Sequence, residues 1–216
     1  MRELGDYFQE HRTRMVRMLE QLVMLESPTD DPAAVNDVAD YLAQRCRDLG
    51  TSLERLEQSG VGDHLRVEWG TGEHQILLLG HMDTVWPLGE TARRPFAVDG
   101  DRATGPGVFD MKGGLVIGLF ALEALQRLEP HLSPRLVFLF NSDEEIGSPT
   151  SRALIEAEAQ RSKFVLVLEP SREDAVVTWR KGVGRFKLEV HGLASHSGAA
   201  HERGISAVQE LAHQVL

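Results

Sequence analysis

Three short runs of apolar residues stand out in the middle of the chain, and each is followed by polar residues. The runs cover residues 76–79, 136–140 and 164–168. Uninterrupted runs of this length are typical of strands that are buried on both faces, as in a parallel sheet covered by helices. In open sheets of this kind ligands collect beyond the carboxyl ends of the strands. The residues after each run are therefore the first candidates for a binding cleft.

Apolar residues at helical spacing occur on both sides of these runs. The spacing predicts helices over residues 6–26, 32–49, 114–128 and 149–160. Two strands with polar edges are expected over residues 51–56 and 64–69. This alternation of strands and helices predicts an α/β fold with a doubly wound, mostly parallel sheet flanked by helices.

The pattern changes near residue 178, which predicts a second domain. Residues 182–191 alternate apolar and polar side chains, as in a strand with one wet face, and residues 204–216 have the pattern of an amphipathic helix. We therefore divide the chain into domains of residues 1–177 and 178–216. The chain stops in mid-helix on Val215 and Leu216. We expect it to be a fragment of a longer protein, with a C-terminal segment of the first domain missing.

The composition excludes several classes of function. With 33 acidic and 23 basic residues the formal charge is -10, so we expect no nucleic-acid partner and no anionic membrane surface. The lone Cys46 excludes an internal disulfide and a cysteine-rich zinc module. Because neither a signal peptide nor a membrane span is evident in the sequence, we expect a soluble protein in the cytoplasm.

The residues that follow the apolar runs are of the types that bind divalent metals. His81 and Asp83 follow the first run, Glu144 and Glu145 the second, and Glu169 the third. Each has an ordinary structural interpretation alone: a hydrogen-bonded histidine, a solvated turn, the cap of a strand. Their repetition at strand ends favours a metal site, because core packing requires neither acids nor a histidine at those positions.

Asp110 lies in a glycine-rich turn that leads into a helix, residues 105–114. A phosphate-binding loop is the first alternative, but the lysine is not followed by serine or threonine, and an acid would repel phosphate. A carboxylate on a tight turn can instead bridge two cations, one with each oxygen. The predicted metal ligands are His81, Asp110, Glu145 and Glu169.

Glu144 and Glu145 are adjacent, and neighbouring side chains diverge just past a strand end. We therefore expect one of them to bind metal while the other moves protons, since a carboxylate within reach can take a proton from an acidified water. Asp83, two residues from His81, is placed to accept the second imidazole N–H and fix the orientation of the ring.

These motifs together resemble those of the M20 family of dizinc metallopeptidases, and most closely its glutamate carboxypeptidase branch. The resemblance covers nearly all of the chain and rests on five segments in the family's order: residues 81–85, 105–114, 143–148, 169–170 and 194–199. It implies that residues 1–177 form an incomplete catalytic domain. Residues 178–216 would then begin an inserted α+β lid and dimerisation domain.

The resemblance also implies a role for each matched residue. Asp110 would bridge two Zn²⁺ ions, which Co²⁺ or Mn²⁺ could replace, and the peptide bond after it would be cis. His81 and Glu169 would bind one ion or the other, Glu145 would bind zinc, and Glu144 would be the general base. Asp83 would be the partner of the metal-bound histidine. His196, from the lid, would steady the developing oxyanion across a homodimer, although the serines beside it could also satisfy it structurally. The family's last metal ligand, a histidine near the C-terminus, would lie beyond Leu216.

The function expected from this resemblance is hydrolysis of the amide bond of a C-terminal amino acid, by a bridging metal hydroxide and a glutamate general base. The substrate would be a small N-acyl amino acid or peptide. An aminoacylase, an acyl-amino-acid deacetylase or a dipeptidase of the same family is an alternative. A catalytically silent, metal-stabilised interaction protein or an inactive fragment is an alternative of another class. A serine hydrolase is disfavoured because the sequence contains no Gly-x-Ser-x-Gly elbow.

Overall fold

A computed structural model describes residues 2–129, 134–171, 175–184 and 186–216. The chain forms two compact units, Met1–Ser171 and Arg172–Leu216. No helix in the described part of the chain combines the length and the apolar character needed to cross a membrane.

The first unit contains the central sheet and most of the helices. Its helices are α1 (Arg2–Met24), α2 (Pro32–Asp48), α3 (Glu90–Arg93), α4 (Gly113–Leu128) and α5 (Arg152–Arg161). Its strands are β1 (Ser52–Leu56), β2 (His64–Trp69), β3 (Gln75–His81), β4 (Ala97–Asp99), β5 (Arg102–Thr104), β6 (Arg135–Asn141) and β7 (Ser162–Val167). The expected helices and strands of this unit are present, with ends that differ by a few residues. The short elements α3, β4 and β5 were not predicted.

The main sheet has the strand order β1-β2-β6-β3-β7. Strand β3 is parallel to both β6 and β7, whereas β1 with β2 and β2 with β6 are antiparallel. The sheet is therefore mixed, with its parallel part around β3. The α/β class with flanking helices is confirmed, and the antiparallel part consists of the two strands whose polar edges the sequence shows.

The two faces of the sheet are covered by different helices because alternate side chains of a strand point in opposite directions. Leu78 and Phe138 belong to the core cluster formed with α1, α2 and α4. Leu77 and Val137 lie in a second cluster, against Leu154 of α5. Helices on both faces explain why β3 is apolar over residues 76–79 and β6 over residues 136–140. Strand β6 is buried over Leu136–Asn141.

Helix α2 shows how the local sequence sets the two ends of a helix that covers the sheet. The carboxylate of Asp31 accepts a hydrogen bond from the backbone N–H of Ala34 at 3.1 Å, and Pro32 occupies the first turn. The helix ends before Gly50, whose φ of +68° suits a residue without a side chain. The apolar stripe between these ends, including Val38 and Leu42, is fully buried.

Strand β7 differs from the prediction of burial on both faces. Phe164 is 56% exposed and Leu166 is 51% exposed. The strand pairs with β3 along one edge, and within the described residues no other strand pairs with its second edge. An apolar run identifies a strand but does not show how many neighbours cover it.

The second unit contains fewer regular elements than predicted. The described residues between 182 and 191 belong to no strand, so the prediction of a strand there is wrong: nothing in the described part of the chain pairs with the segment. The predicted helix is present as α6 (Ala207–Val215). Its start is set by Ser206, whose hydroxyl accepts a hydrogen bond from the backbone N–H of Gln209 at 3.1 Å.

Candidate metal centre

The candidate residues meet at one edge of the sheet because β3, β6 and β7 run in the same direction. His81, the last residue of β3, is in register with Asn141 at the end of β6. The backbone N–H of Leu168, just beyond β7, donates to the carbonyl of Leu79 at 2.9 Å. Glu169 and the loop that carries Glu144 therefore leave the sheet beside His81.

Three of the predicted ligands form one cluster. Nε2 of His81 lies 3.1 Å from a carboxylate oxygen of Asp110 and 3.3 Å from one of Glu169. One ligand atom from each of the three residues lies within 4.8 Å of the others. The imidazole is buried, whereas the carboxylate of Asp110 is 59% exposed. The cluster is therefore anchored on its histidine side and open on its aspartate side.

The turn that presents Asp110 is narrow and depends on its glycines. Gly107 has a φ of +68°, and a Cβ atom there would lie 2.8 Å from the side chain of Thr84. The peptide bond between Asp110 and Met111 is cis, as the family resemblance implies. The turn is closed by the backbone N–H of Lys112, which donates to the carbonyl of Gly107 at 3.0 Å.

Glu144 and Glu145 lie on a single 3₁₀ turn after β6, Glu144–Ile146, which we call the acidic turn. An oxygen of Glu144 approaches Nε2 of His81 to 3.9 Å, with the side chain 49% exposed. Glu145 is not part of the three-residue cluster that the described residues form. Its assignment as a ligand, like the assignment of Glu144 as general base, stays a prediction.

Asp83 makes more contacts than the sequence indicated. Nδ1 of His81 donates to the backbone carbonyl of Asp83 at 2.8 Å, and the carboxylate of Asp83 lies 3.3 Å from the same nitrogen. That carboxylate, fully buried, also accepts the backbone N–H groups of Glu144 at 3.3 Å and Glu145 at 3.2 Å. Asp83 therefore orients the imidazole and also holds the start of the acidic turn.

The electrostatics of the cluster show an excess of negative charge. Burial alone would lower the pKa of His81, but contacts with Asp83 and Glu169 outweigh burial and raise that pKa to about 11. Burial, together with the charges of Asp110 and Glu144, raises the pKa of Glu145 to about 7 against the opposing charge of His81. The pKa of Glu144 is also raised, chiefly by burial. Carboxylates that resist ionisation beside a protonated histidine indicate a site suited to a cation.

The donor set fits zinc. One imidazole nitrogen and carboxylate oxygens are ligands that Zn²⁺ takes in proteins, and the cluster supplies them from His81, Asp110 and Glu169. The site contains no cysteine, because Cys46 is buried in the helical core. A divalent metal ion would replace the proton on the imidazole as the positive charge among these acids.

His196 lies in the second unit and is exposed. Its Nδ1 accepts hydrogen bonds from the backbone N–H groups of Gly198 and Ala199, both at 3.1 Å. Because Nδ1 is the acceptor, the neutral ring carries its proton on Nε2. His196 therefore presents an outward donor, and its role in catalysis stays a prediction.

Two supporting residues were not singled out from the sequence. Thr29 donates its hydroxyl proton to the carboxylate of Asp83 at 2.7 Å. Asp143 is fully buried and accepts the backbone N–H groups of Thr150 at 2.7 Å and Ser151 at 3.1 Å. It closes the loop that carries the acidic turn. Asp143 stands directly before the glutamate pair, whereas the position of Thr29 gives no local signal of its contact with Asp83.

Comparison with known proteins agrees with this geometry. The sequence profile of peptidase family M20/M25/M40 matches residues 77–216. The chain is 35% identical over 213 residues, 96% of its length, to carboxypeptidase G2 of Pseudomonas sp. (strain RS-16). It spans about half of that relative, 51% of its length.

Solved structures share the fold. A tripeptidase of Staphylococcus aureus superposes with a TM-score of 0.69 at 18% identity, covering 94% of this chain and 55% of that one. Aminopeptidase PepT of Bacillus cereus superposes with a TM-score of 0.67 at 22% identity, covering 93% of this chain and 55% of that one. At these identities the similarity establishes the architecture alone.

Proposed function

The chain belongs to peptidase family M20/M25/M40, and from this premise we propose that the whole protein is a zinc-dependent hydrolase. The proposed reaction is hydrolysis of the amide bond that links a C-terminal amino acid to an acyl or peptidyl group. The observation that carries the proposal is the cluster of His81, Asp110 and Glu169, with Glu144 beside it. Similarity to carboxypeptidase G2 favours the glutamate carboxypeptidase branch over the aminoacylases and dipeptidases of the family.

Two zinc ions would be held by residues from separate loops. Asp110, with its exposed carboxylate, would lie between the ions, His81 and Glu169 would each bind one ion or the other, and Glu145 would complete the ligands of this chain. Zinc at such a site supplies Lewis acidity, which lowers the pKa of water and polarises a carbonyl group. The protein's part would be to fix the ligands, and the buried Asp83 would do so by holding the imidazole of His81.

Glu144 would move the proton. Its oxygen lies 3.9 Å from the ligand nitrogen of His81, and the side chain is half exposed, so it can reach both the cluster and a substrate. A pKa raised by burial makes this carboxylate a stronger base than an ordinary glutamate. Glu144 would take a proton from the attacking water and deliver it to the leaving amine.

His196 would act on the oxygen of the scissile carbonyl. Because its Nδ1 accepts two backbone hydrogen bonds, its Nε2–H is available to donate to an oxygen that becomes negative in the transition state. The homodimer that would bring His196 to a neighbouring site, and the cytoplasmic location, stay predictions.

The two adjacent glutamates supply a matched pair of variants for the test. In the whole protein, we expect Glu144→Gln to lower turnover by about 10²–10⁴-fold, the usual contribution of a general base, while zinc content is unchanged. We expect Glu145→Gln to lose zinc. Zinc is measured by elemental analysis, and turnover with an N-acyl glutamate beside N-acetylornithine.

Each result has a clear meaning. Full turnover in Glu144→Gln would contradict the general-base assignment, and full zinc content in Glu145→Gln would contradict the ligand assignment. Preference of the unaltered protein for N-acetylornithine would place it among the deacetylases of the family. Turnover unaffected by removal of zinc would refute the proposed function.

A further inference from the structure

A cavity of about 380 Å³ lies between α1, α2 and α4. It shares no lining residue with the metal centre, whose side chains lie at the carboxyl ends of the strands. Its volume is at the lower end of the range for small-molecule sites in proteins. The cavity is therefore a separate candidate site, and the inference drawn from it does not depend on the proposed function.

The charged residues of the cavity are mostly cationic, although the chain as a whole carries a formal charge of -10. The charged side chains that line it are Arg14, Arg17, Arg45, Arg127, Asp48 and Glu123. The four guanidinium groups and two carboxylates leave a local excess of two positive charges. A positive cavity on an acidic protein attracts anions selectively.

Glu123 fixes two of the arginines in place. Its side chain is only 8% exposed, and it accepts two hydrogen bonds from Arg14, each 3.1 Å long. Arg127 forms an ion pair with the same carboxylate at 2.7 Å. Burial alone would raise the pKa of Glu123, but the hydrogen bond and charge of Arg14, with the charge of Arg127, lower it. The carboxylate thus stays ionised and holds two guanidinium groups in fixed positions.

The guanidinium group of Arg17 has no partner among the described residues. It lines the cavity, and within the part of the chain that the structure describes it forms no hydrogen bond or ion pair. A guanidinium group carries five N–H donors in a planar fork that matches carboxylate and phosphate oxygens. Arg17 is therefore the group that an incoming anion would engage.

The uncharged residues that line the cavity are Gln21, Tyr41, Leu49 and three buried apolar residues at its base. Met18, Leu119 and Phe120 line it and belong to the helical core cluster. Tyr41 also contributes, and the guanidinium of Arg45 lies 5.2 Å from the centre of its ring. A wholly hydrated ion such as free phosphate would leave the apolar part of the wall without a partner.

We propose that the cavity between α1, α2 and α4 binds a small anion with an apolar body, an aryl phosphate or aryl carboxylate. The anionic group would pair with Arg17 and the adjacent fixed arginines. The aryl ring would pack on Met18, beside Phe120, whose ring centre lies 5.2 Å from the guanidinium of Arg14. Both features are needed, because the arginines alone would select charge without selecting shape.

Phenyl phosphate is the probe for this site, and methionine methyl groups locate its binding. In a protein labelled with ¹³C at the methionine methyl groups, we expect phenyl phosphate to shift the signal of Met18, which lines the cavity. The signal of Met111, beside the metal centre at the Asp110 turn, should not move. A shift confined to Met111 would show binding at the metal centre and would overturn the proposal.

Two charge reversals on α1 provide the matched comparison. Arg17→Glu should weaken the binding of phenyl phosphate by about tenfold or more, as expected for loss of a charged hydrogen bond. Arg12→Glu makes the same change of charge on the same helix, at an exposed residue outside the cavity that pairs with Asp101, and should change affinity less than about twofold. If both variants bound phenyl phosphate equally weakly, the effect would be the general attraction between the protein's positive charge and the anion, and the proposed site would be refuted.

Two further measurements complete the test. Arg17 is exposed and unpaired in the described structure, and the pair of Arg12 with Asp101 is exposed and adds little stability. Both variants should therefore keep the melting temperature of the unaltered protein; Arg17→Gln replaces Arg17→Glu if that variant does not. Inorganic phosphate and benzyl alcohol should each bind at least about tenfold more weakly than phenyl phosphate. Equal affinity for inorganic phosphate would contradict the role of the apolar wall, and no binding of phenyl phosphate would overturn the proposal.

Discussion

Glu158 joins α5 to the sheet from a buried position, and its removal tests what holds this helix in place. Its side chain is 1% exposed. The carboxylate accepts hydrogen bonds from Arg66 of β2 at 2.8 Å, Gln75 of β3 at 2.7 Å and Arg161 at 2.7 Å. We predict that Glu158→Ala lowers the free energy of unfolding by about 3 kcal/mol.

The magnitude follows from the partners of the carboxylate. A hydrogen bond that involves a charged group contributes about 1.5–3 kcal/mol, and the bonds from Arg66 and Gln75 are shielded from water. Arg161 is 60% exposed, so its pairing adds little. Arg66 keeps Glu68 at 2.9 Å, and Gln75 keeps the hydroxyl of Ser162 at 3.0 Å. Because neither is left without a partner, the loss lies at the low end of the range for a broken buried pair, about 3–5 kcal/mol.

The contribution of Glu158 also depends on pH. Burial alone would raise its pKa, but the hydrogen bonds from Arg66 and Gln75 outweigh burial and lower that pKa below the ordinary value of 4.5. The unfolded chain therefore takes up the proton first as pH falls. The stabilisation is fully present above about pH 4.5 and is lost as pH falls through the lower value of the folded state. The stability difference between the unaltered protein and Glu158→Gln should narrow over that interval.

Urea unfolding followed by circular dichroism measures the effect, with Glu156→Ala as the matched control. Glu156 lies on the same helix, is 59% exposed and pairs with Arg152, so its loss should cost less than about 0.5 kcal/mol. With a urea dependence of about 1–3 kcal/mol per M, Glu158→Ala should lower the unfolding midpoint by about 1–3 M. Equal shifts in the two variants, or a shift below about 1 kcal/mol for Glu158→Ala, would refute the reasoning.

Two further predictions concern buried polar groups. Burial raises the pKa of the Cys46 thiol to about 12, so we expect a thiol reagent at pH 8 to label it only after unfolding in urea; rapid labelling of the native protein would contradict this. Asp143→Ala removes the acceptor of the backbone N–H groups of Thr150 and Ser151, and should lower the free energy of unfolding by about 3 kcal/mol. A melting temperature equal to that of the unaltered protein would show that the loop does not need this carboxylate.

The sequence predicted the strands correctly where hydrophobic patterning alone decides the local structure. Strands β3 and β6 were predictable because apolar runs of this length are typical of strands, and helices cover both faces of these two. The exposure of β7 was not predictable, because burial depends on which strand lies at the edge. The strand predicted over residues 182–191 is wrong for a related reason. Alternation of apolar and polar residues permits a strand, but a strand forms only where a partner supplies its hydrogen bonds.

The candidate metal cluster was predictable in part. His81 and Glu169 meet because parallel strands bring their carboxyl ends to one edge, and this rule needs only the order of the elements. Asp110 lies instead on the turn before α4, and that rule does not contain its approach to His81. The position of Glu145 requires more, because its side chain direction depends on the turn geometry between Asp143 and Ser148. There the backbone N–H of Ser148 donates to the carbonyl of Asp143 at 2.8 Å, a contact that no spacing rule contains.

Asp83 shows most clearly what sequence spacing leaves out. It is the second residue after His81, and that spacing suffices to predict its contact with the imidazole. Its bonds to the backbone N–H groups of Glu144 and Glu145 depend on the register in which His81 lies beside Asn141. A shift of that register by one residue would turn the side chains to the opposite face and move the acidic turn away from Asp83. The histidine and the proposed base are thus held by one buried carboxylate, so a change at Asp83 should disturb both together.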